Sequence, residues 1–142
     1  MRAEIVSRTI DADRLVREVG DARRGATAIF LGTVRSTNEG RDVTGIEYSA
    51  YNEMAEREML LVLREAEERF NGVVLVAEHR VGMLEVGDVS IGIAAGHEHR
   101  GPALDALRYA IDQIKARAPI WKRERYADGT EEWVDPSRPV AR

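Results

Sequence analysis

The sequence predicts a single α+β domain with mostly antiparallel sheets, two long helices and one short N-terminal helix. Three observations lead there. Segments of strand character outnumber those of helical period. The strand-like segments come in adjacent pairs, which favours antiparallel pairing over a doubly wound sheet. No linker, internal repeat or low-complexity tract divides the 142 residues, so 1–142 reads as one domain, long enough to bury roughly 68–70% of its unfolded surface.

The first element is a strand over residues 3–9 (AEIVSRT), which alternate weakly. Asp11 or Asp13 then caps a short helix over Leu15, Val16 and Val19, which Gly20 stops. Residues 25–35 (GATAIFLGTVR) are rich in β-formers and end in a polar loop, STNEGRD. Residues 43–51 (VTGIEYSAY) form the next strand, with Ile46, Tyr48 and Ala50 on one face. The clearest helix follows: Ala55, Met59, Val62, Leu63, Ala66 and Phe70 recur at helical spacing, and Asn71-Gly72 ends the run.

VVLVAEHRVG and DVSIGIAAG read as two strands joined through MLEVG, with Gly87-Asp88 at the turn. A second long helix starts near Pro102, in the first helical position, and buries Leu104, Leu107, Ala110 or Ile111, and Ile114. Pro119 forbids its continuation and pushes Ala118 toward extended geometry. IWKRERY and EEWV then form a closing hairpin around Asp128-Gly129.

Composition narrows the function. A net charge of −4 argues against a general polyanion-binding surface, and so against nucleic acid, while leaving room for a local cationic pocket. Cysteine is absent, so no disulfide staples the fold and no thiolate serves as nucleophile, metal ligand or sulfur carrier. The amino terminus is charged throughout with no apolar core of a signal peptide, and no run approaches the ~18 apolar residues of a membrane span. The expectation is a cytoplasmic protein without a membrane partner.

Only two of the 21 Lys+Arg residues are lysines, Lys115 and Lys122, seven positions apart on either side of Pro119 in IKARAPIWKRE. In the simplest account Lys115 complements a helix C-terminus and Lys122 is exposed. Arginine would serve both purposes, however, and this chain uses it everywhere else. What lysine alone supplies is an amine able to lose its proton and act as acid, base or nucleophile, whereas guanidinium stays charged. The bend at the proline allows the two side chains to converge, and Arg117, Arg123 and Arg125, if close, would favour the neutral amine.

Other candidates are weaker. His97 and His99 would share a side of a continuing strand, a spacing compatible with a metal, but no third ligand stands at a diagnostic interval, and the expectation is no metal site. His99-Arg100, just ahead of a helix, can instead bind an anion or simply face solvent. Arg35 closes its strand beside a Gly-containing loop, where it can hold a carboxylate or phosphate or be ordinary surface. Neither GxGxxG nor GxxxxGK[ST] occurs. Trp121 and Trp133 read as core or hairpin packing.

Taken in order, GATAIFLGTVR, IEYSAYNEMAE, HRVGMLEVGDVSI, HEHRGPALDALRYAID and IKARAPIWKRE…DG…WV resemble the large, catalytic subunit of molybdopterin synthase, from about residue 25 to 134. That resemblance implies an α/β-hammerhead-type fold and a sulfur transfer that converts cyclic pyranopterin monophosphate to the dithiolene of molybdopterin. The sulfur would arrive on the thiocarboxylated Gly-Gly C-terminus of a small ubiquitin-like subunit, so no cofactor is needed and the missing cysteine is accounted for. By motif, Lys115 resembles the family's essential lysine beside the carrier's terminal carboxyl, and Lys122 its second active-site lysine. Arg35, His99 and Arg100 match positions implicated in holding the substrate's anionic groups, the His-Arg pair reaching in from a neighbouring protomer. A homodimer flanked by two small subunits, a heterotetramer, follows. Ser49 stands where a glutamate is common in the family, and Leu104 at a position often aromatic, which reads as core variation.

Two other functions compete with this one. A binding module could grip a ubiquitin-like tail without turnover, though it would not need Lys115, Lys122 and Arg35 together. A metal-dependent hydrolase could use His97 and His99.

Overall fold

The computed structural model describes residues 1–134. Twelve elements follow one another: β1 (Arg2–Val6), α1 (Ala12–Val19), β2 (Ala26–Thr33), β3 (Thr37–Asn38), β4 (Arg41–Ala50), α2 (Asn52–Arg69), β5 (Val74–Arg80), β6 (Gly82–Glu85), β7 (Val89–His97), α3 (Arg100–Arg117), β8 (Ile120–Tyr126) and β9 (Glu131–Val134). They form two sheets. The first runs β1-β5-β7-β2 and the second β3-β4-β8-β9, with β6 also on β4. Every pairing is antiparallel except β1 on β5. This is the expected α+β domain, with two long helices and one short one.

The first sheet is covered on both faces, and the chain's most continuous apolar run, β7, lies inside it with Ser90 to His97 all buried. Helices α2 and α3 cover one face, packing Met59, Leu63 and Ile114 against Leu75, Ile91 and Ile93. Helix α1 covers the other with Leu15 and Val19 against Val76 and Ala94. It comes close because β7 carries glycine beneath it: a Cβ at Gly96 would stand 2.3 Å from Val19 O, and one at Gly92 2.7 Å from Leu15 Cδ1. Asp11 caps α1 by accepting from the Asp13 and Arg14 N–H groups.

Several expectations need correction. The first strand is Arg2–Val6, shorter than 3–9. The polar loop after β2 contains β3, a two-residue strand that turns back onto β4 through Glu39 (φ 51°) and Gly40 (φ 78°). MLEVG is not merely a turn, for Gly82–Glu85 leaves the first sheet and pairs with β4 in the second. Helix α3 begins at Arg100, which puts Pro102 third rather than first, and it buries Ala103 and Ala106 along with Ala110 and Ile114. Leu104 is 55% exposed, and Leu107 and Ile111 are only partly buried. Trp133 is exposed rather than core, and of the two expected placements it takes the hairpin one, opposite Arg123 with that guanidinium 5.1 Å from its ring. Trp121 meets Tyr51 edge-on, away from the main core. Among the described residues no helix is long and apolar enough to cross a membrane.

Candidate active site

The Pro119 break joins α3 to β8, and that join sets the site. Helix α3 runs along the first sheet, and its last turn presents Ile114 and Lys115. After the break the chain pairs with β4, Ala50 opposite Ile120 and Tyr48 opposite Lys122. Strand alternation then puts Ile120, Lys122 and Glu124 on one face of β8 and Trp121, Arg123 and Arg125 on the other. A cavity of about 320 Å³ opens where the two sheets and α3 meet. The titratable and charged side chains lining it are Arg35, Tyr48, His79, Lys115, Lys122 and Glu124.

Both lysines and Arg35 therefore reach one cavity, as expected. The three flanking arginines do not. Arg117 is held by Glu58 and Glu65, Arg123 by Glu47 and Glu131, and Arg125 by Glu131. Each is tied to carboxylates outside the cavity, so none serves to favour a neutral amine there.

Glu124 is the acid of the site. It is 2% exposed and receives three groups: Lys122 Nζ at 3.2 Å, Asn38 Nδ2 at 2.7 Å and the Tyr126 hydroxyl at 2.6 Å. Burial alone would raise its pKa, but the hydrogen bonds from Tyr126 and Asn38, with the Lys122 charge, lower it, so the carboxylate stays ionised. Burial and the same carboxylate push the Tyr126 phenol up to about 12. Lys122 is in this way oriented by an anion that is itself fully hydrogen-bonded.

His79 forms another wall. Its Nδ1 lies 2.9 Å from Arg80 O; a carbonyl only accepts, so Nδ1 carries the proton and Nε2 is a bare acceptor. Burial, and secondarily the Lys115 charge, bring its pKa down to about 4, so the ring is neutral at pH 7. Tyr48 packs edge-on to it with centroids 5.0 Å apart, and burial raises the Tyr48 phenol. His79, Tyr48, Asn38 and Glu124 were not singled out from sequence as site residues. The signal for Glu124 was present in the alternation of IWKRE; the role of His79 depends on a crossing of sheets that no local pattern announces.

The remaining candidates fall elsewhere. His99 caps α3 without a side-chain hydrogen bond. Arg100 lines a separate depression with Gly25, Ala26, Thr27 and Leu104. It lies fifteen residues from Lys115 on the same helix, about 22 Å at 1.5 Å per residue, so one chain does not bring the two together. His97 is buried, with Nε2 2.9 Å from Asn71 O and Nδ1 accepting the His99 N–H at 2.9 Å. Both ring nitrogens are thus used in packing, against the idea of a His97–His99 metal pair. Among the described residues no group of three His, Cys, Asp or Glu side chains could hold a metal.

Residues 5–117 match the family model described as MoaE protein. The chain belongs to this family. It is 43% identical over 126 residues to a molybdopterin synthase catalytic subunit of Oryza sativa subsp. indica, an alignment that takes in 89% of this chain but 65% of that protein. The chain thus spans just under two thirds of the rice relative. A Bacillus subtilis molybdopterin synthase catalytic subunit is 36% identical over 94% of this chain and 84% of its own. Among solved structures, a molybdopterin synthase from Staphylococcus aureus superposes with a TM-score of 0.88 at 34% identity, covering 92% of this chain and 95% of that one. MoaE relatives from bacteria and a plant therefore share the sequence, and the S. aureus structure shares the two-sheet fold.

Proposed function

We propose that this chain is the catalytic subunit of a molybdopterin synthase. In this role it transfers sulfur from the thiocarboxylated C-terminus of a small ubiquitin-like subunit to cyclic pyranopterin monophosphate, forming the molybdopterin dithiolene. The observation that carries the proposal is the convergence of Lys115 and Lys122, from opposite sides of the Pro119 break, with Arg35 on one cavity. Both substrates are anionic, a thiocarboxylate and a cyclic phosphate, and three cations lining a partly desolvated cleft would attract and align them. An extended Gly-Gly tail suits a cleft of this size because it has no side chains to exclude.

The chemistry divides between the two amines. Lys115 stands beside the carrier's acyl group, where it stabilises developing charge and moves a proton as the sulfur bonds to the precursor and water adds to the acyl carbon, breaking the C–S bond and leaving the carrier's C-terminal carboxylate. Lys122, held by Glu124, binds the cyclic phosphate and assists its opening. No thiol is required of this chain, in keeping with its lack of cysteine. Arg100 and His99, out of reach of the cavity in their own protomer, would complete the site of a neighbouring copy. This favours a homodimer flanked by two carrier subunits, working in the cytoplasm.

Reconstitution with the thiocarboxylated carrier and the cyclic precursor, followed by detection of dithiolene product, tests this reading. Lys115→Ala is expected to abolish product while carrier binding persists; full turnover by that variant would refute the assignment. Lys115→Arg should fail as well if a proton is moved. Tight carrier binding without product in the wild-type protein would instead favour a non-catalytic module for ubiquitin-like tails.

A further inference from the structure

His79 has no part in the proposed transfer, yet it is a buried ionisable side chain that lines the same cavity as Lys115. Three features constrain it. Its Nδ1–H is committed to Arg80 O at 2.9 Å, which fixes the tautomer. The ring is clamped edge-on by Tyr48, centroids 5.0 Å apart. Its strand, β5, is the second strand of a sheet closed on both sides by β1 and β7, so the backbone has little freedom to move the ring. What remains is one lone pair, on Nε2, in a cavity whose apolar lining includes Ile46, Ile91 and Ile114 and whose other polar side chains are cations, hydroxyls, the Asn38 amide and an already engaged carboxylate.

We infer that His79 is a positioning residue for Lys115: its Nε2 accepts a hydrogen bond from the Lys115 ammonium and aims that group at the bound acyl carbon. A neutral acceptor suits this task better than a carboxylate. It orients the amine and stabilises its charged form without forming an ion pair that would compete with an anionic substrate for the same cation. The effect of the Lys115 charge on His79 is the other face of this coupling, since an ammonium close to the ring opposes its protonation. Lys122 is held differently, by the ionised Glu124.

The inference rests on the catalytic role proposed for Lys115, and its test separates the two. Because the chain has only two lysines, protein labelled with ε-¹³C lysine gives two side-chain resonances, which Lys115→Arg assigns. In His79→Leu, which removes the acceptor at similar volume, the Lys115 titration midpoint should move to lower pH while that of Lys122 stays. His79→Gln, which keeps a neutral acceptor near the Nε2 position, should restore most of the shift. An unmoved Lys115 midpoint in folded His79→Leu, or equal movement of both lysines, overturns the inference whatever the protein's activity. In the reconstituted system His79→Leu should lower kcat about tenfold or more with little change in KM, and His79→Gln should recover part of it. Equal kcat in wild type and His79→Leu would overturn the positioning role even if the titration shifts. Loss of turnover in Lys115→Ala tests the catalytic reading separately.

Discussion

Two carboxylates are buried almost equally, Glu78 at 1% and Glu124 at 2% exposure, and the chain surrounds them with different cations. Glu78, on β5, faces α1 and the N-terminal strand. Arg8 engages it through both guanidinium nitrogens at 3.0 Å, Arg2 reaches it at 2.7 Å and Arg14 at 3.4 Å. Glu124 has one lysine and two neutral donors, and it faces a cavity. Where the chain fastens one element to another it uses the permanently charged, bidentate fork of arginine. Where it lines the cavity it uses an amine whose charge can change, with Arg35 as the one guanidinium beside it. The lysine scarcity legible in the sequence is therefore a division between scaffold and cavity.

That contrast can be broken at either acid. The largest expected effect on stability is from Glu78→Gln, which takes the buried shared anion from three guanidiniums, leaving them only the more exposed Glu4 and Glu18, and should cost about 2–3 kcal/mol in urea unfolding. Turnover per folded molecule should be unchanged, and a loss of activity would mean the clamp and the cavity are coupled. The variant should also change the pH profile. Burial tends to raise the Glu78 pKa, but hydrogen bonds from Arg8 and Arg2 bring it below its unfolded value of 4.5. The unfolded chain then takes up the proton first, so the stabilisation is present above pH 4.5 and lost as pH falls through the folded-state value. Glu78→Gln should flatten that acid limb, and melts between pH 6 and 3 would reveal it.

Glu124→Gln should show the opposite signature. Lys122 loses its anionic anchor, so turnover is expected to fall about tenfold, with a smaller stability loss because Asn38 and Tyr126 still have a neutral acceptor. Equal damage to stability and turnover would make Glu124 another scaffold acid and erase the distinction. The smallest effect is expected from Arg8→Lys. Arg8 is 42% exposed at its side chain, and replacing a fork by a point charge there should cost under about 1 kcal/mol without changing activity.

How far the fold was legible depended on whether a pattern was local. The α2 stripe of Ala55, Met59, Val62, Leu63 and Ala66 is buried as its spacing predicts, and the Asp11 cap is observed. In α3 two stripes competed. The larger residues, Leu104, Leu107 and Ile111, suggest one face, but the helix packs Ala103, Ala106 and Ala110 inward with Ile114, against α2 and the sheet. Strand β6 carries too few residues for a period of its own and is a strand only because β4 offers it an edge. In the site, Lys115 and Lys122 were marked by composition, and Arg35 by its strand end. His79 was visible only as one of three histidines, since its tautomer and its cavity wall come from Arg80 O and Tyr48.

By itself the sequence determined the class of fold, the position of the long helices, the break at Pro119 and the family, because each is written in short-range periodicity, in a ring that fixes φ, or in motifs. Only the tertiary structure decided which side chains share the cavity. It separated Lys115 from Arg117 and Lys122 from Arg123, and it set Arg100 about 22 Å along the helix from Lys115. The reason is physical: a period specifies which face a residue occupies, but what that face meets depends on sheets pairing strands far apart in the chain.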